Sequence, residues 1–198
     1  MTPEDEREIA ALMRAAREKS RGYADFFGWA IDRDLEEWGV LASLRESLES
    51  NGQLFFCDLK LRGRGNDPPD CEAVDANGKR IAIEVTELVD GRAIQAYQNG
   101  KVYDWADWTK DRFVSSLAER IAAKGKRYAI LKDGPYEGGY VVVVFTDEPM
   151  LPIDTVNEFL DGHAFVRPAG VTRAFLLLSY DPRMQAYPYV DLNLSDAS

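Results

Sequence analysis

Histidine is almost missing from this sequence: of 198 residues only His163 is one. Zinc centres built on several imidazoles, histidine-nucleophile nuclease chemistry and Ser-His-Asp triads are therefore poorly supported. Cysteine is nearly as scarce, with only Cys57 and Cys71 and no CxxC spacing. Cys57 falls in phase with Phe55, Leu59 and Leu61, which predicts a buried free thiol. No run approaches the roughly 18 apolar residues of a membrane span. The opening residues, MTPEDERE, are acidic where an export signal is basic and then apolar. A cytoplasmic chain with no membrane segment is the expectation. Positive charge is also in deficit, 24 Lys+Arg against 34 Asp+Glu for a net of −10, which argues against a general nucleic-acid binder.

That deficit is uneven. Residues 1–50 carry seven Lys/Arg against twelve Asp/Glu, and residues 136–198 carry three against nine. Residues 51–135, with fourteen against thirteen, are the only part that is not negative. The two acidic ends are candidate surfaces for a protein partner, while the middle keeps a nucleic-acid partner open. Hydrophobic content of 45% and aromatic content of 11% fit a folded chain. With no repeat, linker or low-complexity run, residues 1–198 read as one domain.

Periodicity predicts the elements. Residues 3–21 form a charged amphipathic helix with Ile9, Leu12, Met13 and Ala16 on one face. A second helix over about 31–49 turns Ile31, Leu35, Trp38, Leu41, Leu44 and Leu48 inward and stops at Asn51-Gly52. The period then becomes two, with Phe55, Cys57, Leu59 and Leu61 on one face and Asp58, Lys60, Arg62 and Arg64 on the other. Strands at 70–76 and 79–86 are joined by the Asn77-Gly78 hairpin turn. Residues 89–108 show no clear pattern. A helix follows from Thr109, a possible N-cap, to about Lys124, with Gly125 as a C-cap candidate. Tyr140–Phe145 and Ala174–Ser179 are buried strands, Pro152–His163 a short helix, and the stretch around Pro182 and Pro188 a final hairpin or edge. This order implies an α/β or α+β arrangement around a mixed sheet.

The segment NDPPDCEAVDANGKRIAIEVTEL, residues 66–88, carries the chemistry. In its second strand Ile81, Ile83 and Val85 share the core face, so Ala82, Glu84 and Thr86 share the other. Pairing about the 77–78 turn sets Asp70 opposite roughly residue 85, hence near Glu84. Two carboxylates and the Val85 carbonyl make a hard oxygen site suited to Mg²⁺ or Mn²⁺.

The order α-β-β-β-α-β, with Pro69-Asp70 at the second strand and Glu84 near the end of the third, resembles the PD-(D/E)xK nuclease superfamily, the restriction-endonuclease-like fold. The resemblance covers about residues 31–145, with an N-terminal helix and C-terminal α/β elements as additions. It implies an α/β core with a mixed central sheet flanked by helices. It also implies Asp70 and Glu84 as catalytic metal ligands for Mg²⁺ or Mn²⁺, and hydrolysis of DNA or RNA. The lysine the family places two residues after the Glu is here Thr86, whose hydroxyl can bind a water but brings no positive charge. Lys79, Lys101, Lys110 and Lys124 are candidates to supply that charge from elsewhere. An extra acidic ligand, where the family has one, comes from the first core helix. There Glu49 lies about 60° from the centre of the apolar stripe and Glu46 about 120°, which favours Glu49.

Lys60, Arg62, Arg64 and Lys124 are the candidate nucleic-acid contacts. Plainer roles stand beside these. Asp70 suits a turn, Glu84 suits a structural salt bridge to Lys79 or Lys124, and Lys60, Arg62 and Arg64 suit a solvated strand face. Arg120, Lys124, Lys126 and Arg127 suit a helix C-terminus, and Trp105 and Trp108 suit core packing. Two functions therefore stand open. One is metal-dependent phosphodiester hydrolysis; the other is a nuclease-fold binding module without catalysis, favoured by the absent lysine and the net charge.

Overall fold

The structure, a computed structural model, describes residues 33–63, 65–98 and 107–196. The expected helix over 3–21, together with Arg64, Lys101 and Trp105, lies outside the described residues. Along the chain come α1 (Arg33–Ser50), β1 (Cys57–Leu61), β2 (Cys71–Val74), β3 (Arg80–Glu87), α2 (Gly91–Gln98) and α3 (Lys110–Gly125). A 3₁₀ turn (Lys126–Ile130) leads to β4 (Gly139–Thr146), α4 (Ile153–Leu160), β5 (Phe165–Val166), β6 (Val171–Leu178), β7 (Tyr189–Asp191) and β8 (Leu194–Ser195). Six strands form one sheet in the order β1-β2-β3-β4-β6-β7. It is mixed: β1-β2-β3 is an antiparallel meander, β4 and β6 run parallel to β3, and β7 closes the far edge antiparallel. The chain is thus α/β, with a mixed six-stranded sheet flanked by helices. Among the described residues, no helix is long and apolar enough to cross a membrane.

Composition explains which strands lie at the centre. The β4 run GYVVVVFT is buried on both faces, as parallel strands covered by helices on two sides must be. Its alternate residues serve two cores. Val141, Val143 and Phe145 join Ile81, Ile83, Val85, Phe175 and Leu177 beneath Leu41, Leu44 and Leu48 of α1. Val142 and Val144 join Ala82, Ala174 and Leu176 beneath Phe113, Leu117 and Ile121 of α3 and Val156 of α4. Even-numbered β3 positions, including Glu84, therefore face α3.

Local chemistry sets the ends of the elements. Thr109 caps α3 by accepting a hydrogen bond from the Arg112 amide, and Asp111 sits in the first turn, where the helix dipole favours an anion. The hairpin turns at Gly78, φ +76, with Asp75 Oδ1 accepting the amides of Asn77 and Lys79 at 2.8 Å each. Beyond β3 and β4, Glu148 accepts from the Asp90 amide at 2.6 Å and from Trp108 Nε1 at 3.0 Å, so Trp108 is a core residue.

Several expectations need correction. Cys57 is exposed and Cys71 is the buried thiol. Asp58 adopts φ +51 and the register slips between Cys57 and Lys60, so the bulge breaks the alternation and Phe56 turns inward instead. Trp38 is 39% exposed, and Val40 fills the α1 stripe in its place. The unpatterned stretch 89–108 contains α2. Gly125 is helical, φ −56, not a left-handed cap. It is glycine because a Cβ there would meet Pro168 Cβ at 2.3 Å.

That close approach sets the end of α3, and a substitution tests it. Gly125→Ala gains up to about 1 kcal/mol of helix propensity but forces a clash that costs about 1–3 kcal/mol. A net loss of stability in urea denaturation is the expected outcome. Unchanged or raised stability would show that the Pro168 loop yields freely.

Candidate metal centre

Four segments converge beneath α3. The corner Asp67-Pro68-Pro69-Asp70 precedes β2, with both prolines and Asp70 buried. The register Cys71↔Ile83 sets Asp70 level with Glu84, one position from the expected partner. Glu84 points from mid-β3 toward α3 and is fully buried. Lys124 arrives from the last turn of α3, and Arg127 from the 3₁₀ turn beyond it.

The contacts form a chain of charges. Lys124 Nζ lies 3.0 Å from Asp70 Oδ2 and 2.5 Å from Glu84 Oε2. Asp70 Oδ2 also accepts the Val85 amide at 2.8 Å. Arg127 Nε is 3.2 Å from Glu84 Oε1, and its Nη2 pairs with Asp67 Oδ1. The Arg127–Glu84 contact lacks hydrogen-bond alignment, so Oε1 of Glu84 is a buried oxygen without a hydrogen-bond partner. Tyr140, itself fully buried, donates its hydroxyl to the Lys124 carbonyl at 2.7 Å and so holds the end of α3 against β4. Burial pushes the Tyr140 phenol far up, keeping it a donor.

The two buried carboxyls titrate apart. Burial, reinforced by the adjacent Asp70 charge, raises Glu84 to about 7 despite Lys124 and Arg127. Burial also works to raise Asp70, but the Lys124 charge, the Val85 amide and hydrogen bonds from Lys124 and Glu84 outweigh it and hold Asp70 below its usual range. One group is thus a ready anion and the other a proton holder near neutrality.

The expected residues fare differently. Asp70 and Glu84 meet, and of the three candidate lysines among the described residues it is Lys124 that reaches them. Lys79 sits exposed in the hairpin turn and Lys110 exposed at the start of α3. Thr86 is half-buried and makes no hydrogen bond to the cluster. Glu49 does not join: it is exposed on α1, beside Trp38, Arg45 and Glu46, and α1 packs on the sheet face opposite Glu84. The third carboxylate is Asp67, whose ligand oxygen lies with those of Asp70 and Glu84 within 4.8 Å of one another. Lys60 is exposed on the edge strand. Arg62 is not an open phosphate contact, because it pairs with Glu72 and Asp133.

Lys124, one of the expected residues, had a positional signal as well, whereas Asp67 and Arg127 were missed as parts of the centre. Lys124 continues the inward stripe Phe113, Leu117, Ile121 at helical spacing, a lysine at a position otherwise apolar. Arg127 follows one turn later. Asp67 had only its place before two prolines.

The raised Glu84 carboxyl fixes a pH dependence. In the unfolded chain it ionises near 4.5, in the fold near 7, so folding binds a proton between these values and the ionised group weakens the fold as pH rises through them. Wild type should lose stability relative to Glu84→Gln between about pH 4.5 and 7, by on the order of 3 kcal/mol in urea denaturation. Asp70 acts with the opposite sign at lower pH: its stabilisation is present above about 3.8 and is lost as pH falls through its depressed value. A stability difference from Glu84→Gln that stays constant across the window would show Glu84 ionised throughout. Lys124→Met should cost about 3–5 kcal/mol at pH 8, since it strands two buried carboxylates. Adding Glu84→Gln to it should recover part of that loss, and an additive double variant would contradict the pairing.

Comparison with protein-family models, with curated proteins and with solved structures finds no match to this chain, so the chemistry of the centre is read from its own geometry.

Proposed function

We propose that this chain is a metal-dependent nuclease that hydrolyses phosphodiesters. One observation carries it: Asp70, Glu84 and Lys124, from three separate elements, meet in one buried centre whose solvent side carries a third carboxylate. The element order adds support. The sequence α1-β1-β2-β3, then α3-β4, is the order implied by the resemblance to the restriction-endonuclease-like fold, interrupted by α2.

The donor set fits a hard divalent cation. Three carboxylates lie within 4.8 Å, and Glu84 Oε1 is buried without a hydrogen bond. All the donors are oxygens, as Mg²⁺ and Mn²⁺ prefer. Asp70 and Glu84 would hold the ion, with Asp67 as the third donor. When bound, it would lower the pKa of a coordinated water and stabilise charge on a phosphoryl oxygen.

The chain's own groups supply the rest. The Val85 amide orients Asp70 and favours its ionised form. Lys124 takes the part that the resemblance gives to the motif lysine: its ammonium can hydrogen-bond the attacking water and stabilise negative charge as it develops. Tyr140 sets the height of that ammonium by holding the Lys124 carbonyl. Thr86 is left as a neighbour of the site. Substrate must come from the side of Asp67 and Arg127, whose side chains are 28% and 26% exposed. Beside the Asp67-Pro68-Pro69-Asp70 corner run Lys132, whose amide donates to the Pro68 carbonyl, and Arg62, whose amide donates to the Asp70 carbonyl and whose guanidinium pairs with Glu72 and Asp133. DNA and RNA both offer the required phosphodiester.

A second function has its own observation. Lys124 already pairs with both Asp70 and Glu84, and Arg127 lies across the opening, as expected of a binding module that keeps the fold without catalysis.

Cleavage of plasmid, single-stranded DNA and RNA with Mn²⁺ or Mg²⁺, and with chelator, decides between them. Asp70→Asn, Glu84→Gln and Lys124→Met should each lower a metal-dependent rate by about a hundredfold or more. Thr86→Val should cost less than about tenfold, since no reacting group depends on its hydroxyl. No cleavage by the folded wild type, or cleavage that survives all three substitutions, would favour the binding module.

A further inference from the structure

Each carboxylate of the centre is already contacted by a cation of the chain itself. Lys124 Nζ sits between Asp70 Oδ2 and Glu84 Oε2. Arg127 bridges Glu84 Oε1 and Asp67 Oδ1. The guanidinium therefore contacts two of the three carboxylates that a divalent ion would take.

The two cations differ in freedom. The Lys124 side chain is 10% exposed, and its backbone is fixed by Tyr140. Arg127 and Asp67 are 26% and 28% exposed, at the solvent side. Of the two cationic contacts on Glu84, the one to Arg127 is longer and lacks hydrogen-bond alignment. A guanidinium is also the side chain best matched to a phosphate, being planar, permanently charged and able to present two parallel N–H donors.

Charge balance points the same way. With all three carboxylates ionised, as metal ligands must be, they face two chain cations, so a divalent ion added alone leaves one positive charge in excess. One phosphodiester anion cancels it.

Resting on the metal-dependent function above, we infer that Arg127 is an exchangeable latch. Without substrate it covers Asp67 and Glu84. A phosphodiester at the opening draws the guanidinium onto its own oxygens and leaves the two carboxylates to the divalent ion. Metal and phosphodiester then bind with positive coupling, and by linkage each strengthens the other by the same factor.

Calorimetric titration of Mn²⁺ into the 198-residue chain, with and without dimethyl phosphate at fixed ionic strength, tests this. Wild type should bind Mn²⁺ about fivefold or more tighter when the ester is present. Arg127→Gln should bind Mn²⁺ more tightly than wild type without the ester, because a competitor is gone, and should gain less than about twofold from adding it. An arginine with a merely structural role would instead weaken Mn²⁺ binding when replaced. Mn²⁺ binding that Asp70→Asn abolishes but dimethyl phosphate leaves unmoved overturns the latch alone. No Mn²⁺ binding sensitive to Asp70→Asn, with or without ester, overturns the metal centre and the latch with it. The wild-type comparison needs no substituted protein, so a folding defect in Arg127→Gln leaves the test intact.

Discussion

One buried ammonium ties this structure together. Lys124 stands between Asp70 and Glu84, two carboxylates that the β2–β3 hairpin sets level with each other and largely out of water. Without a cation between them the pair would be hard to bury, because two like charges at this distance repel strongly in a medium of low dielectric. The ammonium reconciles them by lowering Asp70 and resisting the rise of Glu84. The hairpin, α3 and β4 must then hold one relative position, since all three contribute to the same few ångströms.

Much of the fold serves that position. Thr109 fixes where α3 begins, and Phe113, Leu117 and Ile121 fix which side faces the sheet. Gly125 lets the helix end pass against Pro168, and Tyr140 holds the final carbonyl from β4. A helix rotated by one residue would swing Lys124 about 100° out of the centre. The proline-rich corner does the matching work on the other side. Its chain is held by the Lys132 amide on the Pro68 carbonyl and by the Arg62 amide on the Asp70 carbonyl. The two sides of the centre thus come from segments about sixty residues apart, and their agreement comes from the sheet between them.

The sequence made the near half of this centre legible and left the far half ambiguous. Asp70 and Glu84 follow from alternation in β3 and a hairpin turn at Asn77-Gly78, both local signals. The pairing was off by one residue because the turn alone does not state the register. Lys124 stood among four lysines, since nothing local says how far a helix's last turn reaches over a sheet. Its place in the inward stripe was the available clue. Glu49 misled for a related reason: a helical wheel reports angle about the axis but not which sheet face the helix covers, and α1 covers the wrong one. Cys57 misled because a bulge at Asp58 resets the period of two, and an aspartate at positive φ carries little warning in sequence. Asp67 and Arg127 had no periodic signal at all. They belong to a corner and a 3₁₀ turn, where position comes from tertiary packing.

A buried ion cluster is an inefficient way to stabilise a sheet. Desolvation costs several kcal/mol per ion, and apolar groups of similar volume often do as well or better. The rest of this sheet follows that rule. Ile81, Ile83 and Val85 fill the core on the face of β3 opposite Glu84, and Ala82, Val142 and Val144 line the core on the side of Glu84. Stability is therefore supplied by the apolar layers, and the charges are an expense those layers carry. A purely structural bridge between the hairpin and α3 would already be made by Asp70, Glu84 and Lys124. It would not need a third carboxylate and a second cation on the side that opens to solvent. Asp67 and Arg127 extend the charge network outward, from full burial at Glu84 to partial exposure at the surface. Such a gradient has a physical use where an ion and an anion from solution must exchange partners with groups inside.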